Sequence, residues 1–66
     1  MAAKDRYGNN IRRGARVADL VESGRQGEIT ATNTNVRGRV IVQWDNADEE
    51  EEYPAHDLVL ADRSFR

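Results

Sequence analysis

The chain has 66 residues, which leaves room for one domain, and a domain this small buries only roughly 60% of the surface its unfolded chain exposes. It has no cysteine and one histidine, so disulfides and a thiolate zinc site are excluded and no metal or cofactor is expected. The net charge of −2 conceals a gradient: six basic residues face three acidic ones in residues 1–25, two face one in 26–44, and two face eight in 45–66.

Residues 1–4 are expected to fray as a flexible N-terminus. Next comes a turn at Gly8, Asn9 and Asn10, three residues that tolerate left-handed or turn backbone, with Tyr7 and Ile11 returning to the core on either side. ARVADLV (15–21) is the first strand. Its alternation fails where Leu20 and Val21 are adjacent, which places a bulge or a strand end near Asp19. ESGR (22–25) turns into a second strand, QGEITAT (26–32). There Gly27, Ile29 and Ala31 face one way, and Glu28, Thr30 and Thr32 the other.

The turn formers of NTNVRG (33–38) lead to RVIVQW (39–44), the strongest strand pattern in the chain. Val40, Val42 and Trp44 form its inner face, and Arg39, Ile41 and Gln43 its outer one. DNADEE (45–50) is a hairpin tip and EEYP (51–54) its return strand. Pro54 cannot donate to a ladder, so this strand ends there or lies at a sheet edge. AHDL (55–58) is a tight helical turn, VLA (59–61) a last short strand, and residues 62–66 a tail. The fold class is therefore all-β, and five short strands in so short a chain favour a small barrel over a sandwich of the immunoglobulin type. The expected core is Val17, Ile29, Ala31, Val40, Val42, Trp44, Leu58 and Leu60.

The order GARV, GRQGEI, VIVQWDN, YPAHDLVL resembles the KOW and Tudor-like branch of SH3-like barrels over residues 5–60, which puts the barrel domain at 5–61. Gly24, Gly27 and Ile29 resemble the glycine pair and branched residue of the KOW hairpin. Val40, Val42, Trp44, Asp45 and Asn46 resemble a strand and turn of several such barrels, with Ala47 where a glycine is usual. The opening DRYGNNIRRGARV is similar to the start of small bacterial and phage proteins. The resemblance implies a five-stranded SH3-like barrel, and KOW domains contact RNA, ribosomes or transcription machinery.

Two charged sets are candidate binding surfaces. Arg12, Arg13, Arg16, Arg37 and Arg39 offer forked donors to nucleic-acid phosphates, although a pI near 5.3 is far from that of a typical nucleic-acid domain. Cross-strand pairing of Arg39 with Glu50 or Glu52, and of Arg16 with Glu28, is the competing use. The run Asp48, Glu49, Glu50, Glu51, Glu52 suits a basic protein partner, or else a solvated tip that discourages edge-to-edge aggregation. Ile41, outward on the strongest strand, is the place for a protein partner or a self-dimer.

Trp44 and Tyr53 are candidate walls of an aromatic cage for a methylated cation, but core packing is the expectation for Trp44. His56 has Asp57 beside it in sequence, but neighbours at i and i+1 do not face each other, so a surface or capping role is expected; no phosphate loop, zinc motif or carboxylate pair is visible, and no enzyme is expected. A remote resemblance to the type II dihydrofolate reductases, tetramers of SH3-like barrels, rests on GARV, GRQGEI and YPAHDL. Their pore strand V-Q-I-Y is replaced here by Glu50, Glu51, Glu52 and Tyr53, and four copies of those glutamates would repel.

No apolar stretch approaches the roughly 18 residues of a membrane span and MAAKDRYGNN lacks the apolar core of a leader, so a cytoplasmic location is expected. The expected role is a non-catalytic binding module for a protein or protein–nucleic-acid assembly, as a monomer or weak homodimer, with direct RNA or DNA binding as the alternative.

Overall fold

The computed structural model describes residues 3–22 and 24–61. Met1, Ala2, Ser23 and the expected tail 62–66 lie outside the described residues. The fold is all-β. Among the described residues there are seven strands: β1 (Ala3–Lys4), β2 (Asn10–Ile11), β3 (Arg16–Asp19), β4 (Gln26–Ala31), β5 (Arg39–Trp44), β6 (Glu50–Pro54) and β7 (Leu58–Leu60). A 3-10 turn, Ala55–Asp57, joins β6 to β7.

β1 and β2 form a small hairpin with Ala3 opposite Ile11. The other five make one antiparallel sheet in the order β6-β5-β4-β3-β7. A four-strand meander thus runs from β3 to β6, and the chain then returns to lay β7 against β3, with Val17 opposite Leu60.

The sheet's inner face carries the core. Val17, Ile29, Val40, Val42, Trp44, Leu58 and Leu60 are buried as expected, joined by Ile11 from the hairpin and Ala55 from the 3-10 turn. Each fully buried aliphatic side chain contributes about 1.5–3 kcal/mol. β3 ends at Asp19, where its alternation fails.

Three expectations are corrected. Ala31 does not join the core: the register slips between Ile29 and Ala31, so Ile29 lies opposite Val42 while Ala31 lies opposite Ile41. The extra residue, Thr30, turns Ala31 to the outer face, because a one-residue slip flips every later side chain. Tyr7 does not return to the core and is 71% exposed, since the turn carries it past the sheet while Ile11 goes in. Ala3 and Lys4, expected to fray, pair in β1.

Polar groups complete the core. Asp5 is fully buried, and its carboxylate accepts hydrogen bonds from the Tyr7 amide (2.9 Å), the Asn9 amide (2.8 Å), the Asn9 side-chain amide (3.3 Å) and the Leu60 amide (3.2 Å). Beside it the Arg6 amide donates to Leu58 O at 3.0 Å. These bonds tie the turn after β1 to the side of β7 away from β3.

Gly27 is required by a close approach. A Cβ there would stand 2.6 Å from Gln43 O, 2.9 Å from Val42 Cγ1 and 3.0 Å from Trp44 Cα. Because the nearest atom is rigid backbone of β5, Gly27→Ala must push β4 and β5 apart. We expect a loss of about 2 kcal/mol, measured as a lowered urea midpoint at unchanged slope. A loss under about 0.5 kcal/mol would show that the pair relaxes freely.

Candidate functional site

The two expected surfaces are not built as continuous units. Arg12 and Arg13 sit exposed in the turn between β2 and β3, without an ion pair among the described residues. Arg16, also on that side of the sheet, is committed: both arms of its guanidinium donate to Asp45, at 3.0 and 2.6 Å. That fork holds the Asp45 carboxyl below its ordinary range and raises the Arg16 guanidinium. The expected partner Glu28 lies opposite Arg16 in the register, but Asp45 takes the hydrogen bonds. Arg39 does face Glu52, at 3.9 Å, a separation too long for a hydrogen bond.

The acidic run is also divided. Asp48 and Glu49 are exposed in the tip between β5 and β6. Glu50 and Glu52 lie opposite Gln43 and Ile41 on the outer face. Glu51 lies opposite Val42, on the inner side, where its Oε1 accepts from Trp44 Nε1 at 2.8 Å. Ile41 is half-buried between Ala31 and Glu52 rather than prominent.

Trp44 packs in the core, and its ring meets Tyr53 edge-on with centroids 5.3 Å apart. The pair does hold a cation, supplied by the same chain: Arg25 lies 4.0 Å over the Trp44 ring and 5.5 Å from Tyr53. Its Nε and Nη2 donate to Asp19 at 3.1 and 2.8 Å, and Tyr53 Oη donates to the same carboxylate at 2.9 Å. Asp19 also accepts from the Val21 amide at 2.9 Å. Burial pushes the Asp19 carboxyl up, but the Val21 amide, the Tyr53 hydroxyl and Arg25 outweigh it and hold it below its ordinary value. Burial likewise raises the Tyr53 phenol, helped by Asp19, so Tyr53 remains the donor. The cluster is saturated by its own members.

The open polar site lies elsewhere. The loop between β4 and β5 folds over β1 and the 3-10 turn and leaves a groove of about 500 Å³. It is lined by Lys4 of β1, by residues 32–39, and by Ala55 and His56. Thr34 shapes the loop: its hydroxyl lies 2.7 Å from Val36 O and 3.1 Å from Arg39 O and accepts from the Val36 amide at 3.3 Å. Gly38, at a left-handed φ of +83°, closes the loop, and its carbonyl accepts from the Ala55 amide at 2.8 Å. The groove thus gathers Arg37 and Arg39 of the expected arginine set with Lys4 and His56, neither of which belonged to an expected binding set. The turn-rich run NTNVRG between two strands was the available signal for it.

Among the described residues, no group of three or more His, Cys, Asp or Glu is placed to hold a metal ion, and no helix is long and apolar enough to cross a membrane. No family model, curated protein or solved structure matches the chain.

Proposed function

We propose that this chain is a non-catalytic binding module on an SH3-like barrel of the KOW/Tudor-like kind, acting in the cytoplasm as a monomer or weak homodimer. The sheet order β6-β5-β4-β3-β7, with a 3-10 turn before the returning strand, supports the barrel. The observation that carries the binding role is the groove over β1 and the 3-10 turn, where the cationic side chains of Lys4, Arg37 and Arg39, from three segments of the chain, line one open space beside His56. Binding residues of this kind sit on loops held by a rigid scaffold. The partner is a protein or a protein–nucleic-acid assembly.

A photoreactive amino acid at Asn35, in the groove, tests this in cells. The expected outcome is a discrete crosslinked species that disappears with Arg37→Glu. Crosslinks formed only from Glu49 would move the site to the acidic tip, and none from either position would sink the module reading.

Direct contact with RNA or DNA is a second reading, favoured by Arg12, Arg13 and Arg37, whose guanidinium groups make no ion pair among the described residues. Amide NMR with a short single-stranded RNA at low salt addresses it. Shifts around these arginines that added salt reverses support it, since phosphate contacts weaken steeply with salt. A spectrum that does not move retires it.

A further inference from the structure

We propose that the groove between the β4–β5 loop, β1 and the 3-10 turn is a phosphomonoester site, which rests on reading this groove as the module's binding surface. Its charge runs against that of the molecule. The chain carries a net −2, yet the lining holds Lys4, Arg37 and Arg39 and no carboxylate. A neutral or acidic ligand group therefore meets cations from three separate segments.

Those cations are largely uncommitted. Arg37 makes no hydrogen bond or ion pair among the described residues, and neither does the His56 ring. Lys4 Nζ donates to Asn10 Oδ1 at 2.7 Å, which leaves two of its three donors free. Arg39 is ion-paired with Glu52 at 3.9 Å, beyond hydrogen-bond reach, so its guanidinium keeps open hydrogen-bond donors. In the saturated cluster at Asp19, by contrast, every charged arm has a partner within the chain.

The arrangement selects among anions. A carboxylate is a planar monoanion that one forked arginine satisfies. A phosphomonoester carries a charge of about −1.5 to −2 and three strong acceptor oxygens. Donors approaching from β1, the loop, β5 and the 3-10 turn match the second better. Asn33, Thr34 and Asn35 add neutral polar groups along the loop.

A volume of about 500 Å³ holds a phosphate with an attached organic group, within the range of small-ligand sites. No Phe, Tyr or Trp lines the groove, so it lacks the broad stacking platform on which single-stranded nucleic acid depends. Thr34 and the Gly38–Ala55 hydrogen bond hold the loop in shape before any ligand arrives.

The test is an amide NMR titration of the full chain with inorganic phosphate, at ionic strength held constant with chloride. The proposal expects saturable shifts at residues 33–39 and at Ala55 and His56. Arg37→Gln should weaken binding at least about tenfold, the loss of one charge-assisted contact. Arg37 is exposed and unpaired, so the rest of the variant's spectrum should overlay the wild type. Glu22→Gln, exposed and outside the groove, should bind as wild type.

Ribose 5-phosphate and a short phosphoserine peptide then separate the two sources of the group. Tighter binding of the sugar phosphate identifies a small ester, and tighter binding of the peptide a phosphorylated protein segment. Shifts that do not saturate, that acetate reproduces equally, or that survive Arg37→Gln overturn the proposal. If they fail while the crosslink from Asn35 persists, the module reading stands and only the ligand class is wrong.

Discussion

Replacing Asp5 by Ala is expected to remove about 3–5 kcal/mol, a large part of the domain's stability at 25 °C. The carboxylate is fully buried and receives hydrogen bonds from the amides of Tyr7, Asn9 and Leu60 and from the Asn9 side chain. Water can reach Tyr7, which is exposed, but the space between the turn and β7 is closed to it. Leaving a buried donor without its acceptor costs about 1–3 kcal/mol, so the loss is about 3–5 kcal/mol. A domain of this length has a total stability of roughly 3–10 kcal/mol. Asp5→Asn keeps one acceptor oxygen and should lose about half as much. Urea denaturation followed by circular dichroism measures both, and a loss under about 1 kcal/mol for Asp5→Ala would mean the clamp contributes little.

Asp19→Ala should have an effect of similar size and should also change the pH profile. It removes the hydrogen-bonded partner of the Arg25 guanidinium, leaving only the longer ion pair to Glu51 at 3.8 Å, and it removes the acceptor of Tyr53 Oη; breaking a buried charged network costs about 3–5 kcal/mol. The wild-type acid limb follows from the same groups. At Asp5, burial pushes the carboxyl up, but the Asn9 amides and the Leu60 and Tyr7 amides outweigh it, so the net shift is downward. Asp19 is lowered too.

A lowered folded value means that the unfolded chain binds the proton more tightly. The stability these two groups supply is therefore fully present above about pH 4, where unfolded carboxyls titrate, and is lost as the pH falls through their folded values. The gap between wild type and Asp19→Ala should thus be constant from pH 7 to 5 and narrow below pH 4. A gap independent of pH would show that Asp19 acts through shape alone.

These two carboxylates mark the limit of what was legible in the sequence. Apolar alternation located β5 to the residue and chose its inner face, because Val40, Val42 and Trp44 leave no ambiguity. Its failure at Leu20 and Val21 left a bulge or a strand end near Asp19, where β3 does end, and the tight turn read over 55–58 is the 3-10 turn Ala55–Asp57. Alternation carries no information about pairing, however, so the slip that turns Ala31 outward was invisible.

Asp5 and Asp19 look like any solvated acid until their partners are known. Each nonetheless leaves a local trace, since each accepts from the amide two residues on, Tyr7 and Val21, as Asx turns do. The groove depends on Lys4 meeting residues 28 or more positions away, and no local pattern encodes that. Arg25 over Trp44 is hidden for the same reason, because a turn residue and a core ring have no fixed spacing.

The bonds from Asp5 to Leu60 and from Arg6 to Leu58 bring the beginning and the end of the folded region side by side. Such a unit suits circular permutation. Joining its two ends with a short Gly-Ser linker and reopening the chain in the exposed tip at residues 46–49 would keep every strand pairing of the five-stranded sheet except that the β5–β6 hairpin becomes a contact between the new ends. The same geometry lets the domain be spliced into a surface loop of a host protein without pulling the host's chain apart.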